Sequence, residues 1–145
     1  MQIGAEMTKV VEGRRIFVVD DSEIFRAAIQ FALHDEYETH ELESATGALA
    51  KAERMKPDLL VLAEDVIRAN GLDLIQEYLA RIPDAKILVI IDQISSGFDR
   101  ECVAAGVHGV LAKPLRIELV RDKVDALLSA KKKSDTNPLS VLNVR

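Results

Sequence analysis

A single cysteine, Cys102, in 145 residues excludes an internal disulfide and agrees with a reducing compartment. Its neighbours Val103, Ala104 and Ala105 mark it as a buried thiol rather than a reactive one. No apolar run reaches the roughly 18 residues that a membrane span needs. The stretch from Met1 to Gly13 lacks the apolar centre of a signal peptide. The expected protein is therefore cytoplasmic, with no membrane partner. A basic excess is lacking too: the net charge is -5, whereas a nucleic-acid binder needs a basic face. The one dense basic run, Lys131-Lys132-Lys133, reads as a solvated helix end in a favourable dipole position. His34, His40 and His108 are scattered, with no Cys or His at zinc-ligand spacing. A glycine-rich phosphate loop and a Ser/His/Asp constellation are also missing.

What is present is a globular balance. Apolar residues make up 48% and charged residues 30%, enough for a core, and the length suits one domain with tails. Short apolar runs recur: Ile16-Phe17-Val18-Val19, Leu59-Leu60-Val61-Leu62, Ile87-Leu88-Val89-Ile90-Ile91 and Val110-Leu111-Ala112. Continuous runs of this kind fit strands covered on both faces. Tyr37 to Leu42 is more polar and fits an edge strand. Between the runs lie helical stripes: Phe25, Ala28, Ile29 and Ala32; Ala45, Ala48, Leu49 and Ala52; Leu72, Ile75, Leu79 and Ile82; Phe98, Cys102 and Ala105; Ile117, Val120, Val124 and Leu127. Each keeps the spacing of a helix with one buried side. Pro57, Pro83 and Gly106 supply stops, Asn70-Gly71 a turn, and Ser95-Ser96 the expected cap of the fourth helix. Strict strand–helix alternation implies an α/β fold, a doubly wound five-stranded parallel sheet with helices on both faces. The domain is expected over residues 14–130, with tails at 1–13 and 131–145; the latter is too short for a DNA-binding module.

Ligands of such sheets bind beyond the carboxyl ends of the strands. Those ends carry Asp20-Asp21, Ala63-Glu64-Asp65, Ile91-Asp92 and Ala112-Lys113-Pro114. Adjacent carboxylates at a buried strand end repel and lose hydration. A hard cation such as Mg²⁺ relieves both costs, and a lysine opposite can hold a phosphoryl oxygen. Helix capping is the competing reading of Asp20-Asp21.

From Arg14 to Leu128 the chain resembles the receiver domain of two-component response regulators. The resemblance rests on Val18-Val19-Asp20-Asp21, on Pro57-Asp58-Leu59-Leu60-Val61-Leu62, on Gly71 eight residues after Ala63, and on Ala104-Ala105-Gly106-Val107-His108-Gly109 leading to Ala112-Lys113-Pro114. It implies a flavodoxin-like sheet of order 2-1-3-4-5 and a cis bond before Pro114. Asp20 and Asp21 match the acidic pair that holds Mg²⁺, and Lys113 the lysine that contacts the phosphoryl group. It also exposes departures. The phosphate-accepting aspartate is replaced by Ala63, the hydroxyl residue ending the fourth strand by Ile91, the switch aromatic by Val110, and a proline after the acceptor by Ile67.

The resemblance thus implies a pseudo-receiver: no enzyme beyond residual autophosphorylation, signalling through contact with a histidine kinase, a phosphotransfer protein or a downstream effector. The alternative is a conventional Mg²⁺-dependent receiver using Asp65, which shares a strand face with Ala63 if the strand continues, or using an aspartate in the natural chain; one Asp→Ala change would explain Ala63 but not Ile91 and Val110. A related Mg²⁺-dependent phosphatase would need an aspartate at the same strand end. Mg²⁺ at Asp20, Asp21 and Asp65 is expected to be weak or lost, with Lys113 pairing with Asp20 or Asp21 instead. The family's partner or homodimer face, the fourth helix, fifth strand and fifth helix, maps here to Phe98, Cys102, Val110, Ile117, Val120 and Val124.

Overall fold

The computed structural model describes residues 13–136. Its strands are β1 (Arg15–Val19), β2 (Glu38–Leu42), β3 (Leu59–Ala63), β4 (Lys86–Ile91) and β5 (Gly109–Ala112). The helices are α1 (Glu23–Leu33), α2 (Ala45–Ala52), α3 (Glu64–Asn70), α4 (Asp73–Arg81), α5 (Phe98–Ala105) and α6 (Ile117–Thr136), with a 3₁₀ turn at Ile94–Ser96. The five strands form one parallel sheet in the order β2-β1-β3-β4-β5. This is the doubly wound flavodoxin-like arrangement that the alternation implied.

The central strands β1, β3 and β4 are buried almost throughout, because helices cover both faces of the sheet. This explains why they read as unbroken apolar runs, while the edge strand β2 is half-buried and polar. Helices α1 and α6 pack together on one face, and α2, α4 and α5 form a connected layer on the other. The Ser22 and Ser44 hydroxyls accept from the Phe25 and Gly47 amides, at 3.1 and 3.0 Å, and so cap α1 and α2 in the ordinary way. Ser22, not the preceding aspartate pair, is thus the α1 cap. At the end of α5, Gly106 has φ 115°. That conformation favours glycine, and a Cβ there would also press within 2.7 Å of the tip of the Leu79 side chain. The Lys113–Pro114 bond is cis.

Four features differ from the sequence expectations. The chain turns into α3 immediately at Glu64, where a continued strand end was expected; Glu64, Val66 and Ile67 of this short helix are buried. Ala28 is exposed, and Leu33 completes the inner face of α1. Ser95-Ser96 belongs to the 3₁₀ turn, and Gly97, at φ 82°, is the residue preceding α5; the Ser96 hydroxyl accepts from the Phe98 amide at 3.2 Å. Finally, α6 continues through Thr136, into the stretch read as a tail. A charged run of good helix formers such as Lys131-Lys132-Lys133 suits helix.

Candidate functional site

The carboxyl ends of the strands bring the sequence candidates to one rim but sort them into two sides. On the first side, Asp20, Asp21 and Asp65 line a cleft of about 320 Å³ together with Glu43, Ser44 and Asn70. Asp20 follows β1 directly, its amide donating to the Leu42 carbonyl at 3.1 Å, and this ladder bond fixes its position. Its side chain is buried. Oδ2 accepts from the Ser22 amide at 3.3 Å, whereas Oδ1 has no hydrogen-bond partner among the described residues. Burial pushes the Asp20 carboxyl above its ordinary value; the charges of Asp21 and Asp65 add to the rise, and the Ser22 bond opposes it. Asp65 reaches this cleft from the first turn of α3, not from a strand face.

Behind Asp20, the buried Arg26 donates to the Asp20 carbonyl at 2.8 Å and to Glu41 Oε1 at 3.0 Å. The guanidinium thus serves the backbone and β2, leaving the Asp20 carboxylate itself uncompensated.

On the second side stands Lys113, just past β5. Its Nζ lies 3.1 Å from Asp92 Oδ1 and 5.8 Å from the centre of the Phe25 ring. The expected pairing with Asp20 or Asp21 is therefore corrected: the lysine pairs with the first residue past the neighbouring strand β4, because the parallel register sets Ile91 beside Ala112. Lys113 also opens on a separate cleft of about 290 Å³ with Ser22, Ile24, Phe25, Ala28, Pro114 and Leu115.

Between the two sides, Ala63 ends β3 as a buried methyl opposite Ile90, and Ile91 is fully buried without a hydroxyl. Neither side chain has an oxygen to offer. Mg²⁺ demands near-octahedral oxygen ligation. Among the described residues no three Asp, Glu, His or Cys side chains are grouped as a metal shell requires. With a methyl at Ala63, the residues present do not fit a resident Mg²⁺, even though Asp20, Asp21 and Asp65 share a cleft.

The strongest polar feature was missed from the sequence. Glu64 is 7% exposed. Its Oε1 accepts from the Asp92 amide at 2.8 Å and its Oε2 from Arg68 Nε at 2.5 Å. The Arg68 guanidinium in turn lies 4.1 Å over the Phe98 ring, and bonding to Glu64 raises its already high pKa. The Glu64–Arg68 spacing of four was a usable signal, but only with α3 recognised as a helix.

The expected docking face also needs correction. Phe98, Cys102, Val120 and Val124 are core residues: the periodicity that selected them is that of the buried stripe. Burial pushes the Cys102 thiol up to about 11, which makes it a poor nucleophile. On the same elements Val103, Leu119 and Ile117 are 57%, 48% and 40% exposed, and Val110 is half-buried. Ile24 and Phe31, seven residues apart on α1, are further exposed apolar side chains. Among the described residues no helix is long and apolar enough to cross a membrane.

Comparison with known proteins agrees with this arrangement. The response regulator receiver domain model matches residues 16–125. The chain is 29% identical over 111 residues to the DNA-binding transcriptional activator DevR/DosR of Mycobacterium tuberculosis, covering 74% of this chain and 51% of that protein. It is 28% identical over 106 residues to the chemotaxis protein CheY of Thermotoga maritima, covering 72% and 88%. It thus spans about half the length of the first relative and most of the second. A response regulator crystal structure from Thermotoga maritima superposes with a TM-score of 0.74 at 24% identity, over 81% of this chain and 98% of that one. A receiver domain protein from Methanospirillum hungatei gives 0.75 at 21%, over 84% and 98%; these two likenesses speak for the fold. With a matched model across most of its length, the chain belongs to the response regulator receiver domain family of two-component signalling.

Proposed function

We propose that this receiver domain is a pseudo-receiver, signalling by protein contact without accepting a phosphoryl group of its own. The observation that carries the reading is the buried methyl of Ala63 at the end of β3, where an acyl phosphate needs a carboxylate oxygen. Ile91 and Val110 strengthen it, because the hydroxyl and aromatic partners of a phosphate switch are missing with the acceptor. Asp65 is a poor substitute: it lines the cleft on the side away from Lys113, and misplacement by an ångström or more is costly for in-line transfer. The domain turns over no substrate and needs no Mg²⁺ for its role in the cytoplasm.

Its partner is a signalling protein of the same pathway: a histidine kinase, a phosphotransfer protein or an effector. The surface that fits is the outer side of α5, β5 and α6, where Val103, Ile117 and Leu119 offer apolar contact of the kind interfaces bury at their centres. A second copy of the domain is the competing occupant of that face. Incubation with acetyl phosphate and Mg²⁺ followed by intact-mass measurement tests the reading. The mass stays unchanged if it holds; a gain of about 80 Da, one phosphoryl group, contradicts it.

A further inference from the structure

We propose that the Glu64 carboxylate is a built-in latch that holds the end of β4 and the start of α5 in one conformation. The inference rests on Ala63 occupying the acceptor position, and it says what fixes the domain's state in the absence of a phosphate.

The geometry is a continuous chain across three strand ends. Glu64 follows β3, and its Oε1 takes the amide of Asp92, the first residue past β4, at 2.8 Å. The Asp92 side chain takes Lys113, the first residue past β5, at 3.1 Å. In the other direction Glu64 Oε2 takes Arg68 Nε at 2.5 Å, and the Arg68 guanidinium stacks 4.1 Å over Phe98, the first residue of α5. Two cations and two anions are thereby balanced without any outside ligand.

Burial makes the central link firm. Glu64 is nearly sealed from water, and a carboxylate accepting from a backbone amide and a guanidinium forms the strong, charge-assisted class of bond. Phe98 is also buried, so the stack anchors α5 at the point where the chain leaves Gly97 at φ 82°, the residue best able to turn there. A side chain that grips the main chain beyond β4 and the head of α5 together biases the same segment toward one state.

Amide hydrogen exchange, read residue by residue, tests the latch in the whole chain and in E64A, E64Q and R68A. In E64A the Asp92 amide is expected to exchange between about tenfold and a hundredfold faster, the range that loss of one bond to a charged group implies. The amides of α5 should accelerate with it, while those of β1 keep their wild-type rates. Wild-type rates at Asp92 and α5 in folded E64A overturn the proposal, and so does an equal acceleration everywhere, which marks Glu64 as a general packing residue. E64Q covers the case in which E64A does not fold. It keeps the shape but not the charge, so Asp92 exchange should rise by less and the Arg68 resonances should lose their ring-current shift from Phe98; wild-type rates and shifts there overturn the latch. R68A should loosen α5 more than Asp92, and the reverse order contradicts the proposed path. Acetyl phosphate and Mg²⁺ added to the wild-type sample keep the two readings apart. A mass gain defeats the acceptorless reading whatever the exchange rates, whereas unchanged mass with unchanged E64A exchange defeats the latch alone.

Discussion

The two sides of the strand-end rim arrange their charges in opposite ways. Around Asp20 the rim is acidic and uncompensated: three aspartates share a cleft and one buried carboxylate oxygen has no partner among the described residues. Around Glu64 the charges are paired: Arg68 bonds Glu64, Glu64 takes the Asp92 amide, and the Asp92 side chain takes Lys113. The methyl of Ala63 stands between them. The comparison teaches that a receiver rim with a methyl at the end of β3 need not be weak throughout. One side retains electrostatic stress, while the other is closed by a neighbouring glutamate.

The largest test of this contrast restores the missing group. A63D would set another carboxylate beside Asp20 in a buried position, and an unpaired buried charge is expected to cost about 3 kcal/mol without divalent cations. Mg²⁺ should recover much of that in the variant and leave the wild-type transition unmoved, both read by urea denaturation with and without the metal. Cutting the paired side comes next. R68A leaves Glu64 with the Asp92 amide alone, and a smaller loss than that of A63D is expected in the same measurement, because the Arg68 side chain is half exposed.

How much of this contrast was legible depended on local signals. The strands β1, β3 and β4 announced themselves as apolar runs because both their faces are covered, and Asp20, Asp21 and Lys113 were found by adjacency to strand ends. The network at Glu64 was hidden for a different reason. Its helix α3 has only seven residues, begins directly after a strand and shows no capping side chain, so nothing marked the spacing from Glu64 to Arg68 as helical. The pairing of Lys113 depended on sheet register, which composition does not encode. Phe98, Cys102, Val120 and Val124 illustrate a further limit: helical periodicity identifies the face that is buried, and the exposed apolar residues are the ones left over.

A smaller effect of opposite sign is expected on the acidic side. Asp20 has a raised pKa in the folded chain. The stability it lends is therefore fully present below its unfolded value of 3.8, where both states are protonated, and is lost as pH rises through its higher folded value. D20N should accordingly stabilise the protein at pH 7, read as a higher Tm. The advantage should shrink as pH falls and the wild-type carboxyl takes up its proton; thermal melts across pH 4 to 8, roughly the range where carboxylates titrate, check the sign. The smallest effect belongs to K113A. Both partners in the Lys113–Asp92 pair are about half exposed, 45% and 54%, so its removal should cost well under about 1 kcal/mol, and less again in high salt. A larger, salt-independent loss would place Lys113 among the buried determinants of the rim.

The central claim is that the gap at Ala63 cannot host a phosphoryl group while Glu64 already holds the neighbouring segment. Titration of the isotopically labelled domain with beryllofluoride and Mg²⁺, followed through the amide resonances of Asp92, Phe98 and Lys113, tests it most directly. The account predicts spectra that stay superimposable with those of the untreated protein. Saturable shifts at those three amides would contradict it, because they would require an acceptor oxygen that Ala63 does not have and a segment free to rearrange around it.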